Sequence, residues 1–131
     1  MVILDTNVVI DHLRLLSSKD SKLVKLAEQL PKENFAISMI TVQELYEGQS
    51  TKDEKIEQVL LSTIAPMTIL PYTFDVAKKA GQINRDTKQT IGLGDAAIAA
   101  AAVINGASLY TLNKRHFQGI KGLELLDLTR N

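Results

Sequence analysis

The chain has 131 residues, 45% hydrophobic and 23% charged, with fifteen basic and fifteen acidic side chains and a formal net charge of zero. Such a composition suits one globular domain with a sizeable core and argues against disorder. The absence of cysteine excludes disulfides, thiolate catalysis and cysteine-ligated zinc, so any metal must be held by oxygen or histidine. Neutral overall charge lends no general support to a nucleic-acid partner, although a local patch can hide within it. With no apolar run near the ~20 residues of a membrane span and no signal-like leader, a cytosolic protein without membrane contact is expected.

Val2, Ile3 and Leu4 predict a short buried strand that runs directly into Asp5, Thr6 and Asn7. In open parallel α/β sheets ligands sit beyond the carboxyl ends of the strands, so an acid there points toward a site. The same Asp5 also suits the N-cap of the helix predicted by Val8, Val9, Ile10, Leu13, Leu15 and Leu16. Asp11 reads as structural or as a marginal support to the site, and His12 as a surface histidine. A polar connection over 17–21 leads to Leu23, Val24, Leu26, Ala27 and Leu30, which recur at helical spacing until Pro31. Residues 35–38 form a second strand. Thr41-x-x-Glu44 has the form of a capping box, which starts the next helix at Thr41 and ends it near Gly48.

Between Thr51 and Ala65, charged positions share a helix with Ile56, Val59, Leu60 and Ile64, a solvated face opposite a core face. Residues 67–70 make a third strand, closed by Pro71, and an amphipathic helix follows from Thr73 to about Lys88. Its Lys78, Lys79, Arg85 and Lys88 read as a wet face, with a phosphate-backbone contact as the sharper alternative. A loop with Gly92 and Gly94 then delivers Asp95 onto the start of an alanine-rich helix closed by Asn105 and Gly106. Residues 107–110 form a fourth strand, 111–117 a polar loop or helical turn, and 123–126 a last strand. Strand and helix alternate throughout, which predicts one domain over 1–131, a three-layer α/β/α fold around a mostly parallel sheet of about five strands.

Asp5, Glu44 and Asp95 all fall at the predicted strand-outlet edge, where a parallel sheet gathers residues distant in sequence. Each has a local alternative: a cap for Asp5, half of a capping box for Glu44, a favourable helix-terminal charge for Asp95. Clustered carboxylates repel unless a cation sits among them, and Mg²⁺ or Mn²⁺ suits such oxygen ligands and serves phosphodiester hydrolysis. Glu47, one turn from Glu44, reads as a surface charge.

Taken in order, Leu4-Asp5-Thr6-Asn7, Thr41-x-x-Glu44-Leu45 with Gly48, Asp95-x-x-Ile98-Ala99-Ala100 and Leu109-x-Thr111-x-Asn113-x-x-His116-Phe117 resemble the PIN-domain ribonucleases, specifically VapC-type toxins of toxin–antitoxin pairs. The likeness runs from the first strand to Gly122 and Leu123. It implies a PIN-like fold and a Mg²⁺- or Mn²⁺-dependent endoribonuclease that is cytoplasmic, homodimeric and neutralised by a cognate antitoxin. By the same resemblance Asp5, Glu44 and Asp95 are metal-binding and catalytic, joined by Asn113. Thr6, Asn7, Thr111 and His116 are then candidates for substrate binding. Many PIN domains carry another Asp in the loop after the fourth strand, where this chain has only Asn113 and His116. One firm metal held mainly by Asp5 and Asp95 is therefore expected, with a weaker, substrate-assisted second site. Two other readings compete: a catalytically inactive PIN-like binding domain, and a phosphoacceptor receiver-like module, which needs an acceptor Asp after the third strand where this chain has Leu70-Pro71-Tyr72.

Overall fold

The computed structural model describes residues 1–15 and 20–128. Five short strands, β1 (Val2–Leu4), β2 (Phe35–Ser38), β3 (Thr68–Leu70), β4 (Ser108–Tyr110) and β5 (Glu124–Leu125), form one sheet in the order β3-β2-β1-β4-β5. Every pairing is parallel, with Ile3 level with Ala36 on one side and Leu109 on the other. From central β1 the chain moves outward through β2 and β3, then crosses back to place β4 on β1's other side. The β1–β4 outlet is thus the point where strand order reverses, the place such sheets bind ligands. This order also differs from the 2-1-3-4-5 order of receiver modules, and β3 lies at the sheet edge, so the receiver-like alternative fails.

Seven helices cover the two faces: α1 (Thr6–Arg14), α2 (Lys22–Gln29), α3 (Met39–Glu47), α4 (Glu54–Ile64), α5 (Phe74–Asp86), α6 (Leu93–Ile104) and α7 (Lys114–Phe117). Strand alternation sorts the core into two clusters. Val2, Leu4, Phe35, Ile37 and Tyr110 pack with Val8, Val9, Leu26, Leu45 and Leu60 of α1 to α4. Ile3, Ala36 and Leu109 pack with α5, α6 and Phe117. Ala96 to Ala102, with Ile98 among them, are at most 1% exposed, and their small side chains let α6 lie close to the strands on one side and α5 on the other. Among the described residues no helix is long and apolar enough to cross a membrane.

Three local expectations are corrected. Helix α3 starts at Met39, because Ser38 caps it by accepting from the Ile40 amide at 3.2 Å, and Thr41 lies fully buried inside the helix. Helix α4 starts at Glu54 under an Asp53 cap, after a 3-10 turn over Ser50–Lys52. His12 is 7% exposed, its Nδ1 2.8 Å from the Ser21 hydroxyl that caps α2. Asp11 is structural, accepting from the Lys22 amide at the start of α2. Leu16 of the predicted first helix and Ser17, Ser18 and Lys19 of the polar connection lie outside the described residues.

The alanine packing predicts that Ala99→Leu, at a fully buried position, lowers unfolding free energy by about 1–3 kcal/mol in urea titration through overpacking. A neutral result would mean α6 has room that this packing denies it.

Candidate active site

Three elements carry the acids to one cleft. Asp5 leaves β1 in extended conformation (φ −66°, ψ 152°) at the N-cap position of α1, yet its side chain makes no capping hydrogen bond. Instead its Oδ2 accepts from the Thr111 hydroxyl just past β4, at 2.7 Å. Thr111 in turn accepts from the Asn113 amide at 3.0 Å and the Asn7 side-chain amide at 3.4 Å, while Asn7 Oδ1 accepts from the Leu112 amide at 3.3 Å. The loops after β1 and β4 are therefore stapled to each other around Asp5. Both Asp5 and Thr111 are almost completely buried.

Glu44 comes from the second turn of α3, where its Oε1 accepts from the Thr6 hydroxyl at 2.6 Å. Since Thr6 has one hydroxyl hydrogen and spends it on Glu44, the Thr41 hydroxyl, 2.9 Å away, must be the donor to Thr6. Asp95 sits in the first turn of α6, which begins at Gly92 with φ +95°, a left-handed backbone that favours glycine. Its Oδ2 is 2.7 Å from His116 Nδ1.

Asp5, Thr6, Asn7, Glu44, Glu47, Asp95, Asn113 and His116 line a single open cleft of about 370 Å³ together with Ile10. That lining holds four carboxylates and no lysine or arginine. Burial pushes the Asp5 carboxyl above the usual carboxylate range; the Thr111 hydroxyl opposes the shift and the Asp95 charge adds to it. Burial likewise pushes Asp95 up, opposed by His116 and reinforced by Glu44. Asp5 thus feels the charge of Asp95, and Asp95 that of Glu44.

A divalent cation fits this donor set. Each acid commits one oxygen to a neighbouring side chain, so a second remains for an external partner. Among the described residues, however, no three acidic or histidine side chains stand as a closed metal-ligating group. Asp5, Glu44 and Asp95 therefore share a cleft without standing as a preformed set of direct ligands. An ion such as Mg²⁺, which usually keeps several waters, suits that spacing.

Of the other expected site residues, Thr6, Asn7, Asn113 and His116 line the cleft and Thr111 does not. The Thr6 and Thr111 hydroxyls are turned to carboxylates, so these two threonines hold acids in place. Glu47, read as a surface charge, stands on the cleft's lip and accepts from Gln43. Thr41 and Gly94 escaped notice as site residues. Thr41 has a signal in hindsight, its position one helical turn before Glu44; a lone glycine beside another has none.

The PIN domain family model matches residues 2–123. Ribonuclease VapC10 of Mycobacterium tuberculosis is 34% identical over 120 residues, covering 89% of this chain and 86% of that protein. Two solved structures superpose closely. VapBC2 from Rickettsia felis bound to a promoter DNA fragment has a TM-score of 0.83 at 25% identity, covering 98% of this chain and 100% of that one. DNA-bound VapBC from Salmonella typhimurium also has a TM-score of 0.83, at 27% identity with 98% of each chain covered.

Because Asp5 holds its proton more tightly folded than unfolded, its ionisation removes stability as pH rises from the ordinary value of 3.8. Asp5→Asn keeps an oxygen to accept from Thr111 and loses the charge. Its metal-free melting temperature at pH 7 should therefore exceed that of the native chain, the gap closing as pH is lowered toward 3.8. A variant less stable than the native chain at pH 7 would contradict this electrostatic account.

Proposed function

The chain belongs to the PIN-domain family, and from that premise we propose that it is an endoribonuclease of the VapC toxin class, dependent on Mg²⁺ or Mn²⁺ and neutralised by a cognate antitoxin. The observation that carries this reading is the cleft itself: Asp5 just past β1, Glu44 of α3 and Asp95 of α6 share one hollow at the strand outlets with no lysine or arginine to balance them. Asp5, Asp95 and Glu44 hold the ion, Asp5 and Asp95 being the principal ligands. A bound divalent ion supplies positive charge against the phosphodiester and makes water more acidic. Thr111 and Thr6 keep the Asp5 and Glu44 carboxylates aligned through donated hydrogen bonds. Asp95 orients His116 through Nδ1, which leaves Nε2 as the ring atom that meets substrate. Asn113 offers a neutral amide at the rim of the same cleft. RNA as substrate implies a cytoplasmic site of action.

The antitoxin also has a surface to occupy, one that shares no lining residue with the acid cleft. A second groove of about 560 Å³ runs between α2 and α4, lined by Val24, Ala27, Val59 and Met67, with Lys32 and Lys55 among its polar members. An apolar antitoxin segment bearing acidic residues matches that lining. Phe74 and Leu93, 80% and 74% exposed, are the least covered large apolar side chains among the described residues, and we read them as part of a homodimer contact.

Purified chain should cleave RNA in Mn²⁺ or Mg²⁺ and lose at least about a hundredfold in rate in Asp5→Asn and Asp95→Asn, the scale of losing a group that stabilises the transition state. Mn²⁺ should raise the melting temperature of the native chain and not of those variants. Full activity in either variant sinks the proposal, and an absent Mn²⁺ effect on the native chain favours the inactive binding domain. The double variant Lys32→Glu, Lys55→Glu should weaken antitoxin binding about tenfold, or about 1.4 kcal/mol, with RNA cleavage by the free chain unchanged. Equal neutralisation would put the antitoxin elsewhere.

A further inference from the structure

Glu44 is confined from two directions. Below, its Oε1 takes the hydrogen bond at the end of the Thr41-to-Thr6 hydroxyl chain. Opposite lies the backbone of Gly94 in the first turn of α6. A Cβ built on Gly94 would stand 2.5 Å from Glu44 Oε2 and 3.1 Å from its Cδ. The carboxylate therefore occupies the space that any side chain at position 94 would fill.

Backbone conformation offers no other reason for glycine here. The positive-φ glycines are Gly92, Gly106, Gly119 and Gly122, and Gly94 is not among them. It sits in the first turn of α6, where alanine is the better helix former. A local preference broken without a conformational need marks a functional constraint. We propose that Gly94 is a positioning residue for Glu44: the missing side chain admits the carboxylate to the first turn of α6, beside Asp95, where it joins the acid cleft. An alanine there would force the Glu44 carboxylate to shift away from α6.

The consequence for catalysis rests on the nuclease reading above; the contact itself does not, and a double-mutant cycle tests the two separately. Gly94→Ala, Glu44→Ala and the double variant are compared first by thermal unfolding of metal-free protein. In the Glu44→Ala background Gly94→Ala should raise the melting temperature, because alanine is the better helix former. In the native background that gain should be absent or reversed, because the glutamate must be displaced. The Mn²⁺ concentration that half-saturates the thermal shift should rise at least about threefold on Gly94→Ala in the native background and stay constant in Glu44→Ala. RNA cleavage by Gly94→Ala should lose about tenfold in kcat with KM within about twofold, the pattern of a misplaced catalytic group rather than lost substrate binding. The same change in melting temperature and in Mn²⁺ half-saturation in both backgrounds overturns the inference. Should the native chain cleave no RNA, the nuclease reading falls, and the metal-free cycle still decides whether Gly94 positions Glu44.

Discussion

Like charges held partly out of water are the constraint on which this molecule turns. Asp5 is buried, Asp95 half-buried, and Glu44 raises the cost of charging Asp95 as Asp95 does for Asp5. An isolated chain gains nothing from such a cluster, because burial and repulsion both disfavour the ionised forms. The parallel sheet nevertheless brings them together. Its central strand carries Asp5, its chain path reverses between β1 and β4, and the helices following β2 and preceding β4 deliver the other two acids to the same edge. A bound cation would resolve the conflict, and the cleft lining supplies no lysine or arginine to act in its place.

The rest of the site keeps the acids in place despite that repulsion. Two hydroxyl chains end on carboxylates, one from the Asn113 amide through Thr111 to Asp5, the other from Thr41 through Thr6 to Glu44. Each consists of short, buried side chains with few rotamers to lose, anchored on separate elements, so the carboxylates are pre-aligned rather than recruited on binding. Behind them the alanine-rich α6 fits closely against the strands and carries Asp95 on a rigid support. Charge is concentrated at the edge of a well-packed core, which accords with the general trade of stability for function at active sites.

Much of this was legible in the amino-acid sequence because its signals are local. The three-residue apolar run before Asp5, Leu109 and Tyr110 before Thr111, alanine density after Asp95 and the glycine of the Asn105-Gly106 turn each specify an element without tertiary help. The motif order then located Asp5, Glu44, Asp95, Asn113 and His116, all of which line one cleft. Errors arose where a side chain had two possible partners. Thr41 matched a capping box, but Ser38 took the cap and Thr41 became the buried head of a hydroxyl chain. His12 looked like a surface residue because its helix neighbours are charged, while its actual cover comes from the start of α2, nine residues on. Gly94 carried no signal at all, since its importance lies in an atom it lacks and in a residue fifty positions earlier.

The claim at the centre of this account is that the Asp5 and Asp95 carboxylates hold a divalent cation. Anomalous diffraction from crystals grown in Mn²⁺ addresses it directly. The account predicts a peak in the cleft with carboxylate oxygens of Asp5 and Asp95 about 2.0–2.3 Å away, and Glu44 reaching it directly or through water. A cleft without a peak at saturating Mn²⁺, or an ion held without Asp5, would contradict it.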